Sequence, residues 1–269
     1  DEVLASGKPD FPFCFGWANH DWKTSTWTTI HNFQKNKMIC PVVYSGDQDY
    51  IDHFNWCLKA FKDPRYIKVD GKPFFLLYDA IALPDAKHFF DLWNKLAQEN
   101  GFPGMHFVGL GRGSDVYIEN QLNLGYDAVA SSLIWQAEQK AIGSFRKRWM
   151  THLRRLIDWI PLDKYNYKDI IKYLREDLKV QDNIYPCIIP GWDRSSRSGR
   201  KAVIYYGSTP ELWKQHVQQM VETVQNKPEE YKIIILRSWN EWGEGNYVEP
   251  DERWGHAYLD ALHDVLFDK

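Results

Sequence analysis

Apolar residues gather in short unbroken runs: 11–17 (FPFCFGW), 38–44 (MICPVVY), 72–80 (KPFFLLYDA), 105–111 (MHFVGLG), 127–135 (DAVASSLIW), 184–192 (IYPCIIPGW) and 231–239 (YKIIILRSW). The runs do not alternate apolar with polar, which is the pattern of strands buried on both faces. Between them the spacing turns helical. Residues 50–61 set Ile51, Phe54, Leu58 and Phe61 on one stripe. Residues 85–100 stop at Gly101, a C-cap followed by Pro103. Residues 209–225 open with Thr209 as N-cap and Pro210 in the first turn, and a last helix covers about 255–267. Strands alternating with helices predict a parallel sheet covered by helices.

Such a sheet is either open and doubly wound or closed into a barrel. A nucleotide-binding open sheet carries a glycine fingerprint after an early strand. The nearest match, GLGRGS at 109–114, lacks the final glycine, falls mid-chain and reads as a tight turn. Polar and aromatic clusters instead follow almost every strand, among them WANHDW, YSGDQD, PGWDRSSR and WNEWGEG. That distribution predicts the C-terminal face of a (β/α)8 barrel of TIM type, one domain over 1–269. With 38–44 set aside as an extra segment, six βα-type strands are legible, two short of closure. Either two strands read poorly, or the first two βα units precede Asp1. The opening DEVLASGKPDFPF, a helix end running into a core strand, favours the second.

Composition narrows the partners. No apolar run approaches the roughly 18–20 residues that span a bilayer, so integral membrane contact is not expected. A net charge of −3 argues against nucleic acid. The 13 Trp, 15 Tyr and 14 Phe fill a core or stack on sugar rings. Cys14, Cys40, Cys57 and Cys187 are scattered and read as core residues rather than as a metal or disulfide set. No basic-plus-apolar leader is visible at the start, which leaves cytoplasmic and periplasmic or cell-envelope locations both open. Oligomeric state has no signal in the sequence.

The densest chemistry lies in SWNEWGEGNYVEP, 238–250, just after the last apolar run. Glu241 and Glu244 leave the C-terminal end of that strand, and Gly243 and Gly245 let the chain abandon strand geometry so that both carboxyls can aim one way. Two carboxyls with separated acidities are the minimal equipment for glycosidic bond cleavage, and Trp239 and Trp242 could desolvate one of them. A solvated acidic loop with tryptophans wedged into the rim is the plainer alternative. After the first strand come Trp17, Asn19, His20, Asp21 and Trp22, as ligand contacts or as a local hydrogen-bonded turn. Tyr44 and Tyr78 end strands, as rim packing or as donors to a sugar. Trp192 and Asp193 follow the penultimate strand, Asp193 with either a substrate hydroxyl or a neighbouring side chain as partner. The run Arg194, Arg197, Arg200 and Lys201 reads as a solvated loop before an anion site, and the basic segment 145–156 as an exposed helix face. Asp47-Gln-Asp49 matches the Asp-x-Asp pattern of metal-dependent sugar transferases, but an N-cap on the following helix explains it better.

Several segments in order carry a family resemblance: SGKPDFPFCFGWANHDW, AFKDPRYIKVDGKPFFLLY (60–78), PGWDRSSR and WNEWGEGNYVEPD followed by GHAYLDAL. They resemble the WbsX-type glycosyltransferases of polysaccharide clusters and the related glycoside hydrolase family 99 endo-α-mannosidases. The resemblance implies a (β/α)8 barrel whose domain extends upstream by two βα units, and retaining chemistry without metal or cofactor. It implies that Glu241 deprotonates a substrate 2-hydroxyl, that Glu244 is general acid and then base, and that Asn240 holds a sugar hydroxyl. Trp17, Asn19, Trp22, Tyr44, Tyr78, Trp192, Asp193, Trp239 and Trp242 complete the expected glycan contacts. The expected substrate is an α-linked oligo- or polysaccharide, with mannose the sugar that family 99 suggests. A glycosyltransferase of cell-surface polysaccharide and a non-catalytic glycan-binding barrel are the alternatives.

Overall fold

A computed structural model describes residues 2–23, 38–111, 115–156, 163–198 and 202–267. Six parallel strands form the main sheet: β1 (Phe15–Trp17), β2 (Lys72–Leu77), β3 (His106–Gly111), β4 (Ala128–Ser131), β5 (Ile184–Ile188) and β6 (Ile235–Leu236). Each pairs with the next in chain order, as in Phe75 with Phe15 and Phe107, Ala130 with Leu110 and Tyr185, and Cys187 with Ile235. The order never reverses. A doubly wound sheet must reverse at its switch point, so this sheet is of the barrel type, a half-barrel in the described residues. A short seventh strand, Lys68–Val69, folds back on β2 through Asp70 and Gly71, both at positive φ as a two-residue hairpin turn requires.

The longer helices among the described residues are α1 (Asp47–Phe61), α2 (Ala86–Glu99), α3 (Asp115–Asn123), α4 (Ile134–Ile142), α5 (Ser144–Leu156), α6 (Tyr167–Glu176), α7 (Pro210–Val224) and α8 (Ala257–Phe267). Thr209 caps α7 by accepting from the Leu212 N–H, with Pro210 next, as its sequence predicts. On α1 the buried face is centred on Tyr50, Phe54, Cys57 and Phe61, and Ile51 and Leu58 lie on its flank. The expected strand 127–135 stops at Ser131 and α4 begins at Ile134, because Leu133 and Ala137 are needed on the helical side of the core.

Both faces of the sheet are buried, which explains the unbroken apolar runs. The inner face gathers Phe74, Val108, Leu110, Ala128, Ala130, Tyr185 and Cys187, with Ile233 and Ile235 against them. The outer face packs Phe75, Leu77 and Phe107 on Phe54, Phe61, Phe89 and Trp93 of α1 and α2. Each such side chain contributes about 1.5–3 kcal/mol on burial. A small second sheet places Trp192–Asp193 antiparallel to Val203–Tyr206, which runs parallel to Asp163–Asn166. It anchors the loop after β5.

Candidate active site

The expected site residues fall into two groups, one at each side of the sheet's C-terminal edge. The first follows β1 and β2, whose ends Trp17 and Leu77 are register partners. Asn19 is buried, and its amide is fully committed. Nδ2 donates to the Asp79 carbonyl (2.9 Å) and to the Tyr44 hydroxyl (3.4 Å), while Oδ1 accepts from the Asp79 N–H (2.8 Å). Asn19 thus ties the two loops together. Trp17 is partly buried, edge-on to Tyr44 and His53 with centroids 6.0 and 4.8 Å away. The Tyr78 ring lies 5.0 Å from His20. Asp21 accepts from the Val42 N–H at 3.1 Å, and that bond, followed by Lys23, holds its carboxyl below the usual carboxylate range. Trp22, on a ribbon with Met38–Cys40, is exposed.

The second group follows β5 and β6. Past β6, the Ser238 N–H and hydroxyl bind Asn246 at 3.1 and 2.8 Å, closing a ribbon of Asn240–Glu241 against Asn246–Tyr247. A 3-10 turn, Trp242–Glu244, forms its tip. Gly245 closes the tip at φ +55°, so near the next loop that a Cβ there would meet the Asp193 N and Cβ at 2.9 Å. Only glycine fits both demands. The tip therefore seats against Asp193, whose Oδ1 accepts from the Ser195 N–H (2.8 Å), and Ser196 donates its hydroxyl to the Gly243 carbonyl (3.1 Å). Within the chain, the partner of Asp193 is backbone.

This seating brings the carboxylates to the short helix Ser195–Ser198. Glu244 Oε1 accepts from Arg197 Nη1 at 2.8 Å and lies 3.3 Å from Arg194 Nη2. The same Arg197 Nη1 is 3.9 Å from Glu241 Oε2. The Glu244 side chain is 14% exposed and Glu241 55%, so one acid is walled in and the other open. The expectation of a solvated basic loop is corrected for Arg194 and Arg197, which are the counter-ions of the acids; Arg200 and Lys201 lie outside the described residues.

The indoles take different duties. Trp242 donates Nε1–H to Glu249 (2.7 Å) and stacks on Tyr247 at 3.7 Å and 15°. Trp239 and Trp242 both remain about half exposed. Trp192 is buried, with the Arg237 guanidinium 4.9 Å over its ring and Tyr205 beside it at 6.3 Å. Tyr205 donates to the buried Glu138 at 2.7 Å; burial first, and the Glu138 charge second, raise its hydroxyl pKa well above the usual phenol range. Glu138 lies in IWQAE, one of the polar and aromatic clusters that follow strands, whereas Arg237 ends an apolar run and carries no such signal. A period-two count from Ile233 would have exposed Arg237 as a charge on the inner face.

The Asp-x-Asp pair does not cap α1 as expected. Gly46 is the N-cap without a side-chain bond, since Asp47 turns to His88 Nε2 (2.7 Å) and Asp49 reaches back to the Ser45 N–H (3.4 Å). Among the described residues no group of three His, Cys, Asp or Glu is placed to hold a metal ion, and no helix is long and apolar enough to cross a membrane.

Comparison with known proteins adds a family. The sequence model described as Glycosyltransferase WbsX matches residues 1–262. Two curated proteins of Xanthomonas campestris pv. campestris, from strains B100 and ATCC 33913 and both described as Uncharacterized protein WxcX, are 24% identical over 264 residues. These matches cover 95% of this chain and 34% of the relatives, so the chain spans about a third of their length. A solved structure described as a glycoside hydrolase-like protein is similar at TM-score 0.56 and 17% identity, covering 81% of this chain and 60% of that one. The GH99 endo-alpha-mannosidase from Bacteroides thetaiotaomicron follows at TM-score 0.47 and 15% identity, covering 82% and 62%.

Proposed function

Because the chain belongs to the WbsX glycosyltransferase family, a carbohydrate-active family, we propose that it cleaves an α-linked oligo- or polysaccharide with retention, using Glu241 and Glu244. One observation carries this reading: a single guanidinium nitrogen of Arg197 spans both carboxylates, at 2.8 and 3.9 Å. That shared partner keeps the two oxygens no more than about 7 Å apart, a bound that admits the separations at which paired glycosidase carboxyls work.

In this mechanism Glu241, the open acid, takes the proton of the substrate 2-hydroxyl, and that oxygen attacks the anomeric carbon. Glu244, entering the cycle in its protonated form, gives that proton to the departing glycosidic oxygen. Water then opens the 1,2-anhydro sugar as Glu244 takes its proton and Glu241 returns the first. Oε1 of Glu244 is held by two arginines, so it serves the leaving group only after Arg197 swings away. Trp239 and Trp242 offer half-exposed indole faces beside the pair for sugar stacking.

The transferase reading of the same site rests on the family's own description. One experiment tests both. A panel of bacterial polysaccharides is incubated with the protein, with and without nucleotide sugars, and products are followed by mass spectrometry and by NMR of the new anomeric centre. Reducing-end release with retained configuration, lost in Glu244→Gln, supports the proposal. Product formation only with a nucleotide sugar replaces hydrolysis by transfer, and glycan binding with no turnover in either condition replaces it by a binding role.

A further inference from the structure

The carboxylates of the second group are all matched. Glu244 has Arg194 and Arg197, Glu241 has Arg197, Asp193 has the Ser195 N–H and Glu249 has the Trp242 indole. Arg237 has no such match among the described residues. The Arg237 N–H continues the β5–β6 ladder to the Ile188 carbonyl at 2.9 Å. Ile233 and Ile235 belong to the inner-face cluster, while Ile234 and Leu236 pack toward the helices. Strand alternation therefore puts Arg237 on the inner side, at the mouth of the half-barrel. Its guanidinium carbon lies over the Trp192 ring, 4.9 Å from the centroid, and among the described residues the side chain has no carboxylate or other hydrogen-bond partner. The side chain is partly buried.

A partly desolvated guanidinium without an anion is costly unless something completes it. Contact with the Trp192 ring leaves the guanidinium donors without a protein acceptor, and such donors bind a planar carboxylate or a phosphate through paired bonds. Arg237 also lies two residues before Trp239, whose half-exposed indole suits a sugar face. We propose that Arg237, backed by Trp192, is a specificity residue that binds the negative group of an anionic sugar, so that the glycan acted on is acidic. The inference rests on the glycan reading above and adds the charge of its substrate.

The test uses acidic bacterial polysaccharides in three forms: native, carboxyl-reduced and dephosphorylated. Binding of each is measured by affinity electrophoresis for the wild-type protein, Arg237→Gln and Arg237→Lys. The expected result is a preference of about tenfold or more for the native form. Arg237→Gln abolishes it while leaving weak binding of neutral forms unchanged, and Arg237→Lys restores part of it. Loss on carboxyl reduction identifies a uronate-type carboxylate, and loss on dephosphorylation a phosphate. Equal binding of native and neutralised glycans by the wild type overturns the acidic-substrate proposal alone. Arg237→Gln lowering all forms equally, with a lowered Tm, makes the residue structural and also overturns it. If the wild type binds no polysaccharide in any form, the glycan reading itself falls.

Discussion

At the β1 and β2 ends, Asn19 commits both ends of its amide to the Asp79 backbone and to Tyr44, and no charge takes part. At the β5 and β6 ends, Arg194, Arg197, Glu241 and Glu244 grip one another with side chains that stay 14–55% exposed. A buried neutral network is costly to break, because each orphaned group forfeits its partner and has no water to replace it. Half-exposed ion pairs are worth about 0–1 kcal/mol each, so they exchange partners readily. The first end is held by a buried neutral network, and the second by ion pairs that can rearrange.

Three substitutions set this contrast against measurement. Glu244→Gln should lower turnover of a cleaved glycan by about 10³-fold, the range for losing a general acid or base, with a change in unfolding free energy under about 1 kcal/mol. A folded, fully active variant would remove Glu244 from the chemistry. Asn19→Ala should do the reverse. It leaves the Asp79 N–H and carbonyl unmet and should cost about 2–4 kcal/mol in urea unfolding, with turnover per folded molecule unchanged. Unchanged stability with lost binding would make Asn19 a ligand contact and erase the distinction between the two ends. Gly245→Ala comes third. Its added Cβ meets Asp193 at positive φ, a strain of about 1–3 kcal/mol, and relief of the clash must shift Arg194 and Arg197, which follow Asp193. Turnover should fall further than stability alone explains, as a comparison of kcat with the folded fraction would reveal.

Much of this was legible beforehand because it depends on local pattern. Unbroken apolar runs gave the six parallel strands, and Thr209-Pro210 gave a helix start, since burial on two faces and capping chemistry act over a few residues. The glutamate pair was marked by its place after a strand. What the pattern could not carry was who pairs with whom across loops 47 residues apart, such as Arg197 with Glu244. Arg194 and Arg197 read as solvated because a basic run after a strand is most often a loop, and Arg237 drew no notice at the end of an isoleucine run. Asp47 looked like a cap until His88, 41 residues on, supplied a stronger partner.

The smallest predicted effect probes the floor of the β5 and β6 end. His216 on α7 is buried, and its Nε2 accepts from the Ile189 N–H (3.4 Å), one residue past β5. Accepting requires the neutral ring, and burial pushes its pKa down to about 3. An unfolded histidine titrates near 6.5. Between those values the unfolded chain holds the extra proton, so stability is complete above about pH 6.5 and declines as pH falls toward 3. Over the single step from about pH 6.5 to 5.5 the wild type should lose about 1 kcal/mol to this group. His216→Gln, which can still accept from Ile189 but does not titrate, should lack that share of the slope. If the two proteins lose stability in parallel across this step, His216 already carries its proton when folded, and the Ile189 bond cannot be what holds the loop toward Trp192 and Asp193 in place.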